Sequence, residues 1–370
     1  MRIGLKSAAL GAAVLAAIGW GATARAAEEK ILHIYNWSDY IADDTIERFE
    51  KETGIKVTYD VYDSNEVLEA KLLAGKSGYD LVVPTASPFM ARQIKAKVYR
   101  KIDKAKLKNY GNLDKAILEE VANADPGNQY GVPYLWGTTG LGYNVKKVKE
   151  ALGEKAPVDS LALLFDPENA QKLAPCGISL LDTAQEVFPA ALAYLGKNPT
   201  SKDPKDMEAA VAVIAKIRPY IKKFHSSQYI NDLANGDLCL ALGYSGDVFQ
   251  AESRASEAKN GIELAYSIPK EGAQLGTDMM AIPADAAHPN NAHLFIDYIL
   301  RPEVIAAITN KVGYPNPNAL ATDAVNEDIR NDPSIYPPDE IRAKFYFDKP
   351  ASADYERART RAWTKLKSGS

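Results

Sequence analysis

Ile31-Leu32-His33-Ile34-Tyr35-Asn36-Trp37-Ser38-Asp39-Tyr40 changes character partway along its length. Ile31 to Tyr35, apolar apart from a histidine, reads as a buried strand. The five residues that follow offer two aromatic faces, a hydroxyl and a carboxylate. Asp43 to Phe49 then opens a helix with an acidic first turn, Asp43 as its cap and Gly54 at its close. The loop therefore lies between the carboxyl end of a strand and the start of a helix, where open α/β sheets bind ligands. Trp37, Tyr40 and Asp39 suit an organic cation, through cation–π attraction and charge-assisted hydrogen bonds. Phosphate would need a glycine-rich loop and a basic residue, and Asn36 to Ile41 contains neither. The plainer alternative makes Trp37 a core residue and Asp39 a solvated turn residue.

Downstream, Ile55 to Val61 alternates as a strand. Ser64 to Ala74 reads as a helix with Val67, Leu68, Leu72 and Leu73 on one face, and Tyr79 to Thr85 as a third strand. This is a βαβαβ unit with a parallel sheet, and Thr85 ends on the same sheet edge as Trp37. Gln129 to Asn144 is extended, aromatic and glycine-rich, with a hinge expected near Trp136. Val145 follows Gly140-Leu141-Gly142 where a dinucleotide fingerprint needs Gly or Ala, which excludes a Rossmann site.

A second α/β unit contains helices near 185–195 and 204–220, a hydroxyl-rich loop from Phe224 to Gly236, and a strand from Asp237 to Gly243. That strand runs into Tyr244-Ser245-Gly246-Asp247, again an aromatic and a carboxylate past a strand end. Gly243-x-Ser245 invites a nucleophile elbow, but Asp247 stands where the last glycine belongs, and no motif ties His225 to Ser245. His33 reads as a core residue. Strands are expected at 263–269 and 278–283, helices at 290–300 and 302–310, and a closing tail from Pro333. Arg357, Arg359 and Arg361 in that tail read as a solvated face.

Residues 1–26 have a basic start, an apolar stretch from Ala8 to Trp20 and the small-x-small series Ala24-Arg25-Ala26, so export with cleavage after Ala26 is expected. The apolar run is short for a membrane anchor, and no lipidation cysteine follows it. Without that segment 344 residues remain, enough for two domains, with 41 basic against 48 acidic side chains and a net charge of −7. That charge argues against nucleic acid as a partner. Cys176 and Cys239 are the two cysteines, and export makes a disulfide between them the expected state. No complete catalytic, metal or cofactor motif is present.

The runs Leu32 to Ile41, Tyr79 to Pro84, His225 to Asp237 and Arg359 to Lys365 closely resemble the periplasmic polyamine-binding proteins, the putrescine and spermidine receptors of ABC importers. The likeness spans essentially the whole chain after the export signal. It implies a type II periplasmic binding protein fold, two mixed-sheet α/β lobes joined by crossing strands. Residues 27–136 with 276–322 would form one lobe, and 137–275 with 323–370 the other. The resemblance further implies a monomer without cofactor or catalysis that delivers a polyamine to a membrane permease. Its aromatic box would be Trp37, Tyr40, Tyr244 and Tyr314. Asp39, Asp247 and Asp278 would hold ammonium groups, and Ser38, Thr85 and Ser226 would add hydroxyls. Two positions depart from the pattern: Gln185 replaces a common carboxylate and Gly276 a common large aromatic. Such a pocket is expected to be roomier and less demanding of a second ammonium. Spermidine is then favoured over putrescine, with agmatine or a bulkier amine as the alternative.

Overall fold

The computed structural model describes residue 1 and residues 28–369. The expected export signal, beyond residue 1, lies outside the described residues. Strand β1 (Ile31–Trp37) buries Leu32, Ile34 and Asn36 on one face and half-buries the other. It pairs in parallel with β2 (Lys56–Tyr62) on one side and β3 (Leu81–Val82) on the other. The first helix, Thr45–Thr53, begins later than expected. Asp44 precedes it without a side-chain cap, Asp43 pairs instead with Lys311 at 3.0 Å, and Gly54 ends it with φ 70°. In helix Asn65–Leu73, Leu68 and Leu72 are buried, whereas Val67 and Leu73, expected on the same face, are exposed. Successive helical positions are about 100° apart, so the buried stripe admits only the i, i+4 pair.

Strand β4 (Gly131–Asn144) crosses from the first half of the molecule to the second. It pairs antiparallel with β9 (Gln274–Ala281) over its earlier part, and with β7 (Leu240–Tyr244) and β8 (Leu264–Ser267) over its later part. On the second side β7 continues in parallel to β5 (Ile178–Leu180), and β5 to β6 (Lys223–Phe224). The order is β2-β1-β3-β9-β4-β7-β5-β6, with β8 branching from β4. Strand β9 starts at Gln274, four residues before the expected Asp278, because β4 pairs with Gln274 to Thr277.

Two lobes follow from two cores. Leu32, Ile34, Phe49, Met280, Phe295 and Ile305 pack in the first, and Leu141, Phe165, Val187, Ile214 and Leu242 in the second. Val325, Ile329 and Ile335 belong to the first core, so the stretch from 323 to 336 sits with the first lobe, not the second as expected from the sequence. The closing helix Ala353–Ser368 seats Trp363 and Leu366 in the second core. Arg359, expected on a solvated face, is 2% exposed and bound to Asp348 and Glu356. Cys176 and Cys239 form a disulfide beside β5 and β7.

Candidate functional site

The carboxyl ends of β1 and β7 meet β9 in a cleft between the lobes that holds about 630 Å³ of empty space, its open mouth included. The Trp37 indole N–H donates to the Val83 carbonyl at 2.9 Å, which fixes the ring against Tyr62 (centroids 4.8 Å) and edge-on to Tyr244 of the second lobe (6.5 Å). The Tyr40 and Tyr314 rings meet edge to face at 4.8 Å.

Three carboxylates, Asp247 buried and Asp278 and Glu186 half-buried, face this aromatic lining. Asp278 accepts from the Tyr40 hydroxyl at 2.7 Å and from Thr85 Oγ1 at 2.6 Å, and Thr85 is itself held by the Asn65 amide at 2.9 Å. Asp247, in the first turn of helix Ser245–Ala258, accepts from the hydroxyls of Tyr229 at 2.6 Å and Tyr314 at 2.7 Å. Glu186, in helix Ala184–Tyr194, accepts from Thr139 Oγ1 at 2.7 Å and the Gln274 amide at 2.8 Å. Burial pushes the carboxyls of Asp278, Asp247 and Glu186 up to about 6, 7 and 8 respectively, against the hydrogen bonds that favour their ionised forms. Each carboxylate oxygen takes one of these bonds and keeps a lone pair for a further donor. None of the residues lining the cleft is Lys, Arg or His.

Of the residues expected at a ligand, Trp37, Ser38, Tyr40, Thr85, Ser226, Tyr244, Asp247, Gly276, Asp278 and Tyr314 line the cleft. Asp39 and Gln185 do not. Asp39 takes φ 55°, and its carboxylate pairs with Arg254 at 2.6 Å. Gln185 accepts from Thr183 Oγ1 at 3.2 Å, and its neighbour Glu186 lines the cleft instead. The expected loss of a negative charge at this end is therefore corrected: the carboxylate stands one residue on. The reading also missed Tyr62, Asp63, Asn65, Thr139 and Ser227. Glu186 had a usable signal, because it follows the carboxyl end of β5 as Tyr40 follows β1 and Asp247 follows β7.

A Cβ on Gly276 would meet only Thr85 Cγ2, at an ordinary 3.6 Å, so the space beside it is open. The neighbouring Leu275 packs with Ile117 and Trp136 and does not line the cleft. Ser245 Oγ accepts from the Thr138 N–H at 3.3 Å. His225 Nδ1 accepts from the N–H groups of Ser227 and Gln228, both at 3.1 Å, so it serves the chain turn into helix Tyr229–Ala234. Among the described residues no group of three His, Cys, Asp or Glu is placed to share a metal ion.

The family described as bacterial extracellular solute-binding protein matches residues 44–337. The putrescine-binding periplasmic protein SpuD of Pseudomonas aeruginosa (strain UCBPP-PA14) is 58% identical over 346 residues, 94% of each chain. The putrescine-binding periplasmic protein PotF of Escherichia coli (strain K12) is 54% identical over 345 residues, 93% of each chain. Among solved structures, the spermidine/putrescine ABC transporter substrate-binding protein PotD from Streptococcus pneumoniae superposes with a TM-score of 0.74 at 28% identity, covering 92% of this chain and 99% of that one.

Proposed function

The chain belongs to the bacterial extracellular solute-binding proteins, and on that premise we propose that it is a periplasmic receptor that closes over a polyamine and delivers it to the permease of an ABC importer. The observation that carries this reading is the cleft itself, with Asp247 buried and Asp278 and Glu186 half-buried in an aromatic lining that holds no basic side chain. A buried charge without a partner costs several kcal/mol, on the order of 3 to 5 when one member of a pair is removed, so the closed cleft favours a cationic guest. The acids are also separated. Tyr40 holds Asp278 and Tyr314 holds Asp247, with the two rings packed between them. A chain with an ammonium group at each end offers one cation to each acid, and aromatic walls cover the methylenes without opposing the charge.

In this reading the protein is exported with cleavage after Ala26, acts as a monomer and performs no chemistry on its ligand. The bonds that occupy Ser245 and His225 elsewhere support that last point. Relatives carry names that include putrescine, but the open space at Gly276 favours a longer or bulkier amine, with spermidine first. Glu186 retains the demand for a further ammonium, which agrees with a triamine. A thermal-shift panel of putrescine, cadaverine, spermidine, spermine and agmatine tests the class: a ligand at about 100 times Kd adds roughly 2.7 kcal/mol of stability. The expected result is a raised melting temperature with the amine recovered unchanged; no shift with any of them would refute the reading.

A further inference from the structure

The seat of the Tyr314 ring is made of glycine on both sides. A Cβ on Gly137 of β4 would stand 2.8 Å from Cδ1 and Cε1 of the ring, and a Cβ on Gly246 would stand 2.1 and 2.2 Å from Cδ2 and Cε2. Gly246 lies in the first turn of helix Ser245–Ala258 and does not have positive φ, so the backbone there does not require glycine. Alanine is the better helix former at such a position. Tyr314 comes from the other lobe, directly after Gly313, which ends helix Pro302–Val312. Gly313 repeats the arrangement in reverse: a Cβ on it would stand 2.3 Å from Cδ1 of Phe249, three residues along from Gly246. Each lobe thus presses an aromatic ring onto a glycine of the other.

We propose that Gly246 is a positioning residue for closure, its missing side chain allowing the lobes to approach until Tyr314 reaches Asp247 and completes the ligand's enclosure. The inference rests on the reading of this cleft as one that closes over a polyamine. Ordinary carbon contacts lie at about 3.5–4.0 Å, so a Cβ at 246 overlaps the ring by more than 1 Å. The ring has nowhere to retreat, because Gly137 lies against its opposite edge and Tyr40 packs on it at 4.8 Å. What must yield is the approach of helix Ser245–Ala258, which carries Asp247 with it.

The test is Gly246→Ala in the full exported chain, alone and combined with Tyr314→Ala, titrated with spermidine and putrescine and followed by small-angle scattering. The ligand-free variant should melt at or above the temperature of the unaltered protein, since the open cleft leaves the new Cβ unhindered. Its affinity for both amines should fall at least tenfold, through faster dissociation with little change in association rate. With saturating amine it should stay more extended than the unaltered protein. In the Tyr314→Ala background the same glycine substitution should change affinity less than threefold, a coupling that a purely structural role would not produce. Unchanged affinity in Gly246→Ala, an equal loss in both backgrounds, or a ligand-free variant that does not fold would each overturn the proposal. An unaltered protein that binds no amine would overturn the receptor reading and this proposal with it, whereas normal binding by the unaltered protein isolates any failure to Gly246.

Discussion

Arg254 of the second lobe reaches Asp39 of the first, its Nη2 atom 2.6 Å from Oδ1, while the Gln250 amide donates to the Asp39 carbonyl at 3.1 Å. The carboxylate expected at the ligand is thus spent on holding the lobes together. With its side chains 31% and 40% exposed, the pair belongs to the class that contributes about 0.2–1 kcal/mol. Asp39→Asn should therefore weaken polyamine binding by no more than about fivefold. Its effect should fade at about 1 M salt, where charges are screened within roughly 3 Å. A large, salt-independent loss in calorimetric titration would return Asp39 to the ligand.

Asp247 and Asp278 should behave differently. Asp247 is buried and Asp278 half-buried, and in the proposed reading each holds an ammonium group in the closed cleft. Removing one partner of a desolvated pair costs about 3 to 5 kcal/mol. Asp247→Asn or Asp278→Asn should lower affinity on the order of a hundredfold to a thousandfold, and an unchanged affinity with an intact fold would contradict the assignment.

Gln185 and Glu186 offer a paired test. Glu186→Gln keeps the shape of a side chain that lines the cleft and removes its charge. A hydrogen bond to a charged group contributes about 1.5–3 kcal/mol, so a loss of roughly tenfold to a hundredfold is expected. Gln185→Glu adds a carboxylate beside Thr183, outside the cleft lining, and should not improve binding. The reverse pattern in a titration of both variants would show that the helix is rotated in the bound state.

These two residues also mark where the sequence stops being legible. The strand, loop and helix around Trp37 are local features, and so was the recurrence of an aromatic and an acid after β7. Which of two adjacent helical residues faces a cleft depends on about 100° of rotation, set by packing that no local pattern encodes. Arg359 shows the same geometry. A spacing of two on a helix turns the chain about 200°, so Arg359 points inward with Trp363 and Leu366 while Arg357 and Arg361 point outward. Its partners Asp348 and Glu356 gave no signal in advance. The early start of β9 at Gln274 was hidden because Gly276 breaks the strand-like run, and only pairing with β4 supplies the missing support.

Closure of the empty cleft should depend on pH. Burial raises Asp278, Asp247 and Glu186 to about 6, 7 and 8, well above solvated carboxyls near 4, so closing without a ligand takes up protons. Nearby charges act on two of them: at Asp247, Asp39 adds to the rise and Arg254 opposes it, whereas Asp348, Glu66 and Asp278 add to it at Glu186. The sign follows directly. Empty closure carries no ionisation penalty below about pH 4, acquires it progressively as pH rises from there to about 6 to 8, and carries it fully above that. Scattering or an interlobe distance probe should find more closed ligand-free protein near pH 5 than above pH 8. A closed fraction that grows with pH would contradict the account.

The central claim is tested most directly by calorimetric titration of ligand-free protein with spermidine and putrescine, run beside Gly276→Phe. The account predicts saturable one-to-one binding of both amines, with spermidine at least as tight. The aromatic at 276 should weaken spermidine and strengthen putrescine by filling the space next to Thr85. Putrescine binding tenfold tighter than spermidine in the unaltered protein would defeat the open-pocket argument, and no saturable heat with either amine would contradict the receptor itself.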